Sequence, residues 1–205
     1  MRLLYLHGFR SSPSSDKALA VAQYCAEHGL PEPIMPQLPI SPLESIELCA
    51  QLITQHDITA VCGSSLGGFY ALYLAEKYGL RCGLINPAIT PWMDFERNDN
   101  QERYDIAELD VESNGHYVDQ LQSYFTPTLT HPERCLVLIG TADEVLDHRQ
   151  MMRHLAGTQQ VIVPGADHSM SDFGGYLDTL MRFLHVWSVG RLLVFNPIQI
   201  EIQRR

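Results

Sequence analysis

Three residues whose side chains can together activate a hydroxyl occur in one chain order: Ser65, then Asp143, then His168. Serine at its own pKa is a poor nucleophile, so a base must take its proton and a carboxylate must hold that base in the right tautomer. The chemistry implied is acyl transfer. Ser65 lies in Gly63-Ser64-Ser65-Leu66-Gly67, which fits G-x-S-x-G. The apolar run Ile58-Thr59-Ala60-Val61-Cys62 precedes it and the helix-forming run Phe69-Tyr70-Ala71-Leu72-Tyr73-Leu74-Ala75-Glu76-Lys77 follows. This context predicts a strand, a tight turn and a helix. On such a turn the serine hydroxyl stands above the end of the sheet, with the helix N-terminus behind it to stabilise developing negative charge. The bare pattern also occurs as a glycine-rich loop in other α/β proteins, and the flanking strand and helix are what favour the catalytic reading.

The candidate partners each follow a strand of their own. Cys135-Leu136-Val137-Leu138-Ile139-Gly140 reads as a buried strand whose loop, Thr141-Ala142-Asp143-Glu144-Val145-Leu146-Asp147, carries Asp143. Gln160-Val161-Ile162-Val163 reads as another, and its loop, Pro164-Gly165-Ala166-Asp167-His168-Ser169, carries His168. In an open parallel sheet, functional groups gather at the carboxyl ends of the strands, so all three residues are expected on one rim. Asp147 and Asp167 compete for the role of the acid. Asp147 falls where the next helix should begin and reads as an N-cap, and Asp167 adjoins the histidine too closely to reach its Nδ1. Glu144 is expected to point to solvent.

The amino terminus supplies a further part. Arg2-Leu3-Leu4-Tyr5-Leu6 reads as a strand running into His7-Gly8-Phe9-Arg10-Ser11-Ser12. This resembles the His-Gly loop of α/β-hydrolases, in which a backbone N–H joins that of the residue after the nucleophile; the resemblance implies Phe9 and Leu66 as the oxyanion donors, and His7 is expected to fix the loop by hydrogen bonds.

Behind these loops the chain alternates strands and helices, which predicts a parallel, doubly wound sheet. Strands are expected at 3–6, 33–36, 59–63, 82–86, 135–139 and 160–163, and helices at about 14–28, 42–56, 66–78, 147–155 and 170–187. The fold class is therefore α/β, with a mostly parallel six-stranded sheet flanked by helices. The pattern starts directly at the first parallel strand, with no antiparallel hairpin before it. Residues 1–190 are expected to form a single domain, with 89–132 as a small cap-like insertion rich in charge and poor in periodicity. Trp92, Phe95, Tyr124 and Phe125 are candidates for an acyl pocket within it; the alternative is that these aromatics, with Tyr117, pin the insertion to the body. A cap this small fits a shallow site and a short acyl chain or flexible thioester.

Taken together, Tyr5-Leu6-His7-Gly8-Phe9 with Ser11-Ser12-Pro13, Pro36-Gln37-Leu38-Pro39, Gly63 to Ala71, Asn86-Pro87-Ala88 and Asp143-Glu144-Val145-Leu146-Asp147 resemble the small bacterial YqiA-type esterases. The match runs from residue 1 to about Leu184. The resemblance implies a compact α/β-hydrolase with carboxylesterase or acyl-thioesterase activity, no metal and no organic cofactor. It places the catalytic residues at Ser65, Asp143 and His168.

Composition limits the alternatives. The 205 residues carry 14 Lys and Arg against 24 Asp and Glu, a net charge of -10, so the basic footprint of a nucleic-acid or anionic-lipid binder is missing. With 45% hydrophobic and 19% charged residues the chain is globular. No apolar run approaches the ~18 residues of a membrane span, and no basic, apolar leader is visible, so a cytoplasmic location is expected. The five cysteines are scattered without C-x-x-C and read as small core residues. After Gly190, residues 191–205 form a tail that alternates apolar and polar from Ile198, either an added edge strand through which a homodimer could form or a disordered end. The expected partner is a small-molecule ester or thioester. A non-catalytic hydrolase-fold protein binding a small ligand in the same pocket is the alternative, against which the complete Ser-Asp-His set argues.

Overall fold

The computed structural model describes residues 1–97, 106–113 and 116–185, apart from the side chains of 95–97 and Ile106. Five strands form one sheet: β1 (Leu3–Leu6), β2 (Ala60–Ser64), β3 (Arg81–Ile85), β4 (Cys135–Gly140) and β5 (Gln159–Val163). They lie in the order β1-β2-β3-β4-β5 and every pairing is parallel. The helices are α1 (Asp16–Glu27), α2 (Pro42–Gln55), α3 (Leu66–Tyr78), α4 (Pro91–Arg97), α5 (Ile106–Glu112), α6 (Tyr117–Ser123), α7 (His148–His154) and α8 (Gly174–His185).

The sixth expected strand, at 33–36, is reduced to a single bridge between Ile34 and Leu4. Ile34 N donates to Leu3 O at 2.8 Å and Tyr5 N donates to Ile34 O at 2.9 Å, and the pairing goes no further. Pro31, Pro33, Pro36 and Pro39 explain the loss, since each lacks the N–H a ladder needs. Among the described residues the sheet therefore has five strands, with this segment lying along the outer edge of β1.

Successive side chains of a strand point to opposite faces, and here both faces are covered. Leu4, Leu6, Val61, Leu84, Val137 and Ile139 pack in one core, which α2 and α3 join through Ile46, Phe69 and Leu72. Leu3, Tyr5, Cys62, Ile85, Leu136 and Leu138 pack in the other, against Val21 of α1 and Leu177, Leu180 and Leu184 of α8. The five cysteines are free and buried within these layers. Helix starts follow local rules: Ser41 Oγ accepts Glu44 N at 3.3 Å ahead of Pro42 in α2, and Asp147 Oδ1 accepts Arg149 N at 2.9 Å ahead of α7.

Between β3 and β4 the described residues of the insertion include the short helices α4, α5 and α6. Phe125 and Phe69 meet Trp92 edge-on, with ring centroids 5.4 Å and 6.3 Å apart, and Tyr124 meets Tyr73 of α3 at 5.0 Å. The aromatics thus fasten the insertion to the body. No described helix is long and apolar enough to cross a membrane. The tail 191–205 lies outside the described residues.

Candidate active site

Ser65 occupies the junction of β2 and α3 with φ 55 and ψ -123, a backbone conformation that L residues rarely adopt. The turn is too tight for side chains on its inner face. A Cβ on Gly63 would run into Gly67 O, and one on Gly67 into the carbonyls of Leu6 and His7. Hydrogen bonds then fix the strained residue. Ser65 N donates to Ile85 O at 3.0 Å, while Ser65 O accepts from Gly68 N at 2.9 Å and from Ala88 N at 3.1 Å.

His168 Nε2 lies 3.1 Å from Ser65 Oγ. On the other side of the ring, Nδ1 lies 3.0 Å from Asp143 Oδ1 and 2.9 Å from Oδ2. The Asp143 carboxylate is fully buried and the His168 side chain is 19% exposed. Asp143 Oδ1 also accepts from Val145 N at 2.9 Å and Leu146 N at 2.8 Å, which fixes the carboxylate plane. A base oriented this way can carry the Ser65 proton only along the Nε2 to Oγ axis. The rival acids are engaged elsewhere. Asp147 caps α7, and Asp167 accepts both Ser171 N at 2.9 Å and Ser171 Oγ at 2.7 Å, bonds that hold its carboxyl below the usual range.

Glu144 departs from expectation. It is exposed, yet its Oε2 accepts His168 N at 2.9 Å. The pairing of Gly140 with Val163 puts the loops after β4 and β5 side by side, so an acid in one reaches the backbone of the other.

Asn86, named in the sequence only as part of Asn86-Pro87-Ala88, has a role that the sequence reading did not assign. It is fully buried, follows β3 and has φ 40, a left-handed conformation that asparagine tolerates. Its Nδ2 donates to Asp167 O at 2.9 Å and His168 O at 3.1 Å, and its Oδ1 accepts Gly140 N at 2.7 Å. One amide therefore ties the acid loop to the histidine loop. The signal available was Asn-Pro directly after a strand, a turn dipeptide. Lys17 adds a second hold, its Nζ donating to Ser169 O at 2.7 Å.

On the opposite side of Ser65, Gly8 comes so close that a Cβ there would sit 3.4 Å from Ser65 Cβ. Leu66 is the first residue of α3, where backbone N–H groups have no acceptor within the helix. His7 is 4% exposed and fixes the loop between them: Nδ1 donates to Gly8 O at 2.8 Å and Nε2 accepts Leu38 N at 3.0 Å. Burial lowers its pKa, opposed by the bond to Gly8, and the neutral ring this favours has one donor and one acceptor, as the two contacts require.

A small open cleft of about 40 Å³ runs between this loop and the segment after Ile34, lined by His7, Arg10 and Gln37 as well as by Phe9, Leu38, Ile40, Leu66 and Tyr70. The expected pocket residues Trp92, Tyr124 and Phe125 pack in the layer that holds the insertion, and the side chain of Phe95 lies outside the described ones. A second crevice, by Glu76, Thr130 and Arg134, opens at the other ends of β3 and β4, away from Ser65. Among the described residues no group of three His, Cys, Asp or Glu is placed to hold a metal ion.

Comparison with known proteins places the chain in a family. A sequence profile described as "Uncharacterised protein family (UPF0227)" matches residues 2–185. The chain belongs to UPF0227. A UPF0227 protein of Klebsiella pneumoniae (strain 342) is 26% identical over 194 residues, which cover 88% of this chain and 97% of that protein. Solved structures are similar at lower identity. The putative hydrolase from Agrobacterium vitis S4 has a TM-score of 0.63 at 16% identity, covering 89% of this chain and 87% of that one. Est1E from Butyrivibrio proteoclasticus with ferulic acid bound has a TM-score of 0.60 at 15% identity, covering 90% and 88%. The fold of this UPF0227 protein is that of the α/β-hydrolases.

Proposed function

We propose that this UPF0227 protein is a serine hydrolase that cleaves carboxylic esters or acyl thioesters through an acyl-enzyme on Ser65. The observation that carries the reading is the continuous chain from Ser65 Oγ to His168 Nε2 at 3.1 Å and from His168 Nδ1 to Asp143 at 2.9 Å. Ser65 Oγ attacks the acyl carbon as His168 Nε2 takes its proton. Asp143 orients the ring and stabilises the imidazolium. The N–H groups of Phe9 and Leu66 hold the oxyanion, each such donor contributing about 3 kcal/mol of transition-state stabilisation. The proton on Nε2 passes to the departing alkoxide or thiolate, and a water activated by the same nitrogen hydrolyses the acyl-serine. The fold is shared with a protein solved with an aromatic carboxylic acid bound, which agrees with an ester as substrate.

Burst kinetics on a short-chain p-nitrophenyl ester test this reading. Wild type is expected to show a rapid acylation phase and then a steady state. Ser65→Ala should lose the burst and about a million-fold in kcat, and Asp143→Asn about ten-thousand-fold with the fold intact. A wild type with no turnover on short or long esters and thioesters would overturn the proposal.

A further inference from the structure

One residue beyond the proposed oxyanion donor Phe9, the backbone is strained. Ser11 N donates to Gly8 O at 3.2 Å and closes a four-residue turn whose third residue, Arg10, has φ 48. Where φ is positive at that position alone, glycine is the favoured residue. An arginine holds the left-handed conformation at a cost, and such strain persists only where the surroundings over-determine it. The ends of the turn are secured by His7 Nδ1, which donates to Gly8 O at 2.8 Å, and by Gln37 Nε2, which donates to Ser11 O at 3.1 Å. Its middle is held from the insertion. Arg10 Nη2 donates to Glu108 Oε2 at 3.2 Å and lies 3.5 Å from Glu112 Oε2. These carboxylates are one helical turn apart on α5, where like charges repel, so a guanidinium between them also favours the helix. The guanidinium carbon lies 5.5 Å from the centre of the Phe9 ring, and that ring meets buried Tyr117 of α6 edge-on at 6.5 Å. His7, Phe9, Arg10 and Gln37 line the same cleft, beside Leu66.

Resting on the hydrolase reading above, we infer that Arg10 is a positioning residue of the reaction: its ion pairs with Glu108 and Glu112 hold the turn from Gly8 to Ser11 in the conformation that aims Phe9 N–H at the oxyanion. A turn that relaxes at Arg10 rotates the peptide planes beside Phe9. A misdirected donor weakens steeply, and an oxyanion donor acts where charge develops in the transition state. Loss of the clamp therefore lowers kcat and leaves KM nearly unchanged. The side chains of Arg10, Glu108 and Glu112 are 43%, 56% and 38% exposed, so salt screens the clamp. The same side chain is poorly placed to bind an anionic group of a substrate. Two carboxylates already face one guanidinium, and the cluster is negative as a whole.

The test compares wild type, Arg10→Gly and the double variant Glu108→Gln, Glu112→Gln on neutral p-nitrophenyl acetate. Sodium chloride is varied between about 0.1 and 1 M, over which the screening length falls from about 10 to 3 Å. Arg10→Gly accepts the positive φ without strain, and the glutamine variant changes only exposed side chains, so both should fold. Each should lower kcat about fivefold, a fraction of the hundredfold or more that outright loss of an oxyanion donor costs, with KM within about twofold. Combining all three substitutions should cost no more than either variant alone, because the groups act as one clamp. Wild-type kcat should fall with salt toward that of the variants, whose own kcat stays flat. A wild-type burst, with Arg10→Gly equal to wild type in kcat or in salt dependence, overturns the inference alone. So does a defect confined to KM that grows with the negative charge of the ester, which would make Arg10 a substrate-binding residue. No burst from wild type on any ester overturns the hydrolase reading, and the inference with it.

Discussion

At the C-terminal rim of the sheet, both polar side-chain atoms of Asn86 and both carboxylate oxygens of Asp143 have hydrogen-bond partners between 2.7 and 3.1 Å. The insertion between β3 and β4 is held partly by hydrogen bonds to the body, among them Ser41 Oγ to Gln120 Oε1 at 2.9 Å and Gln150 Nε2 to Thr90 Oγ1 at 2.8 Å, and partly by less directional contacts. Its contacts to the body include edge-to-face rings around Trp92, Phe125 and Tyr124, and ion pairs from Arg10 to Glu108 and Glu112 at 3.2 and 3.5 Å. Hydrogen bonds in a buried site fix direction and lose strength steeply when bent. Ring contacts tolerate sliding, and exposed ion pairs contribute about 0–1 kcal/mol. The rim is built to hold atoms in register, whereas the insertion is built to stay attached. A reaction that needs three side chains aligned to within tenths of an ångström belongs on the first kind of surface.

Asn86 tests the rim most severely. Replacing it with glycine keeps the left-handed backbone at φ 40 and removes only the amide, leaving Gly140 N without its partner and freeing the histidine loop. Asn86→Gly is expected to lower kcat about 30-fold with KM little changed, and to cost about 3 kcal/mol of stability. Restoring the length with Asn86→Asp should not rescue the rate, because a carboxylate would face the carbonyls of Asp167 and His168. If kcat of the folded glycine variant equals that of wild type, the histidine loop holds itself and the contrast between the two regions loses its strongest support.

Trp92→Ala addresses the insertion. The ring packs between Phe69 and Phe125, so its loss should destabilise the protein by about 2 kcal/mol, measured by chemical denaturation. Turnover of a short ester should stay within about twofold of wild type. A fall in kcat/KM that grows with acyl length, at unchanged stability, would return Trp92 to the substrate pocket and make the insertion part of the site.

The two regions also differ in how much of them could be read from sequence. Ser65, Asp143 and His168 were legible because each follows a strand, and a parallel sheet sends the C-terminal ends of its strands to one rim. Those local patterns are dictated by backbone sterics: Gly63 and Gly67 can be nothing larger, and Asp147 sits where a helix needs a cap. What escaped notice depended on tertiary neighbours. Asn86 looks like a turn residue until the loops after β4 and β5 are seen to meet on its amide, and Glu144 looks like a surface acid until His168 N is seen above it. The edge segment at Ile34 has strand character in its apolar residues, but its prolines decide the outcome. In the insertion, helices of seven residues are too short to give a clear period, and the ring contacts of Trp92, Tyr124 and Phe125 depend on tertiary neighbours that the sequence does not display.

The smallest expected effect concerns the other wall of the cleft. His7 joins Gly8 O to Leu38 N only as a neutral ring, and its pKa in the fold is lowered chiefly by burial. In the unfolded chain the same group titrates near the ordinary value of about 6.5. Below that pH the unfolded state binds more protons than the folded one, so this contribution is present above about pH 6.5 and is lost as pH falls toward the lowered folded value. Wild type should therefore lose stability more steeply than His7→Gln between about pH 6.5 and 5, the other histidines affecting both proteins alike. Parallel curves would mean that the ring accommodates a proton without breaking the bond to Leu38. A steeper wild-type curve would show that protonation acts on a contact joining the two sides of the cleft, and that the geometry around Gly8, one residue from the proposed oxyanion donor Phe9, depends on His7 remaining uncharged.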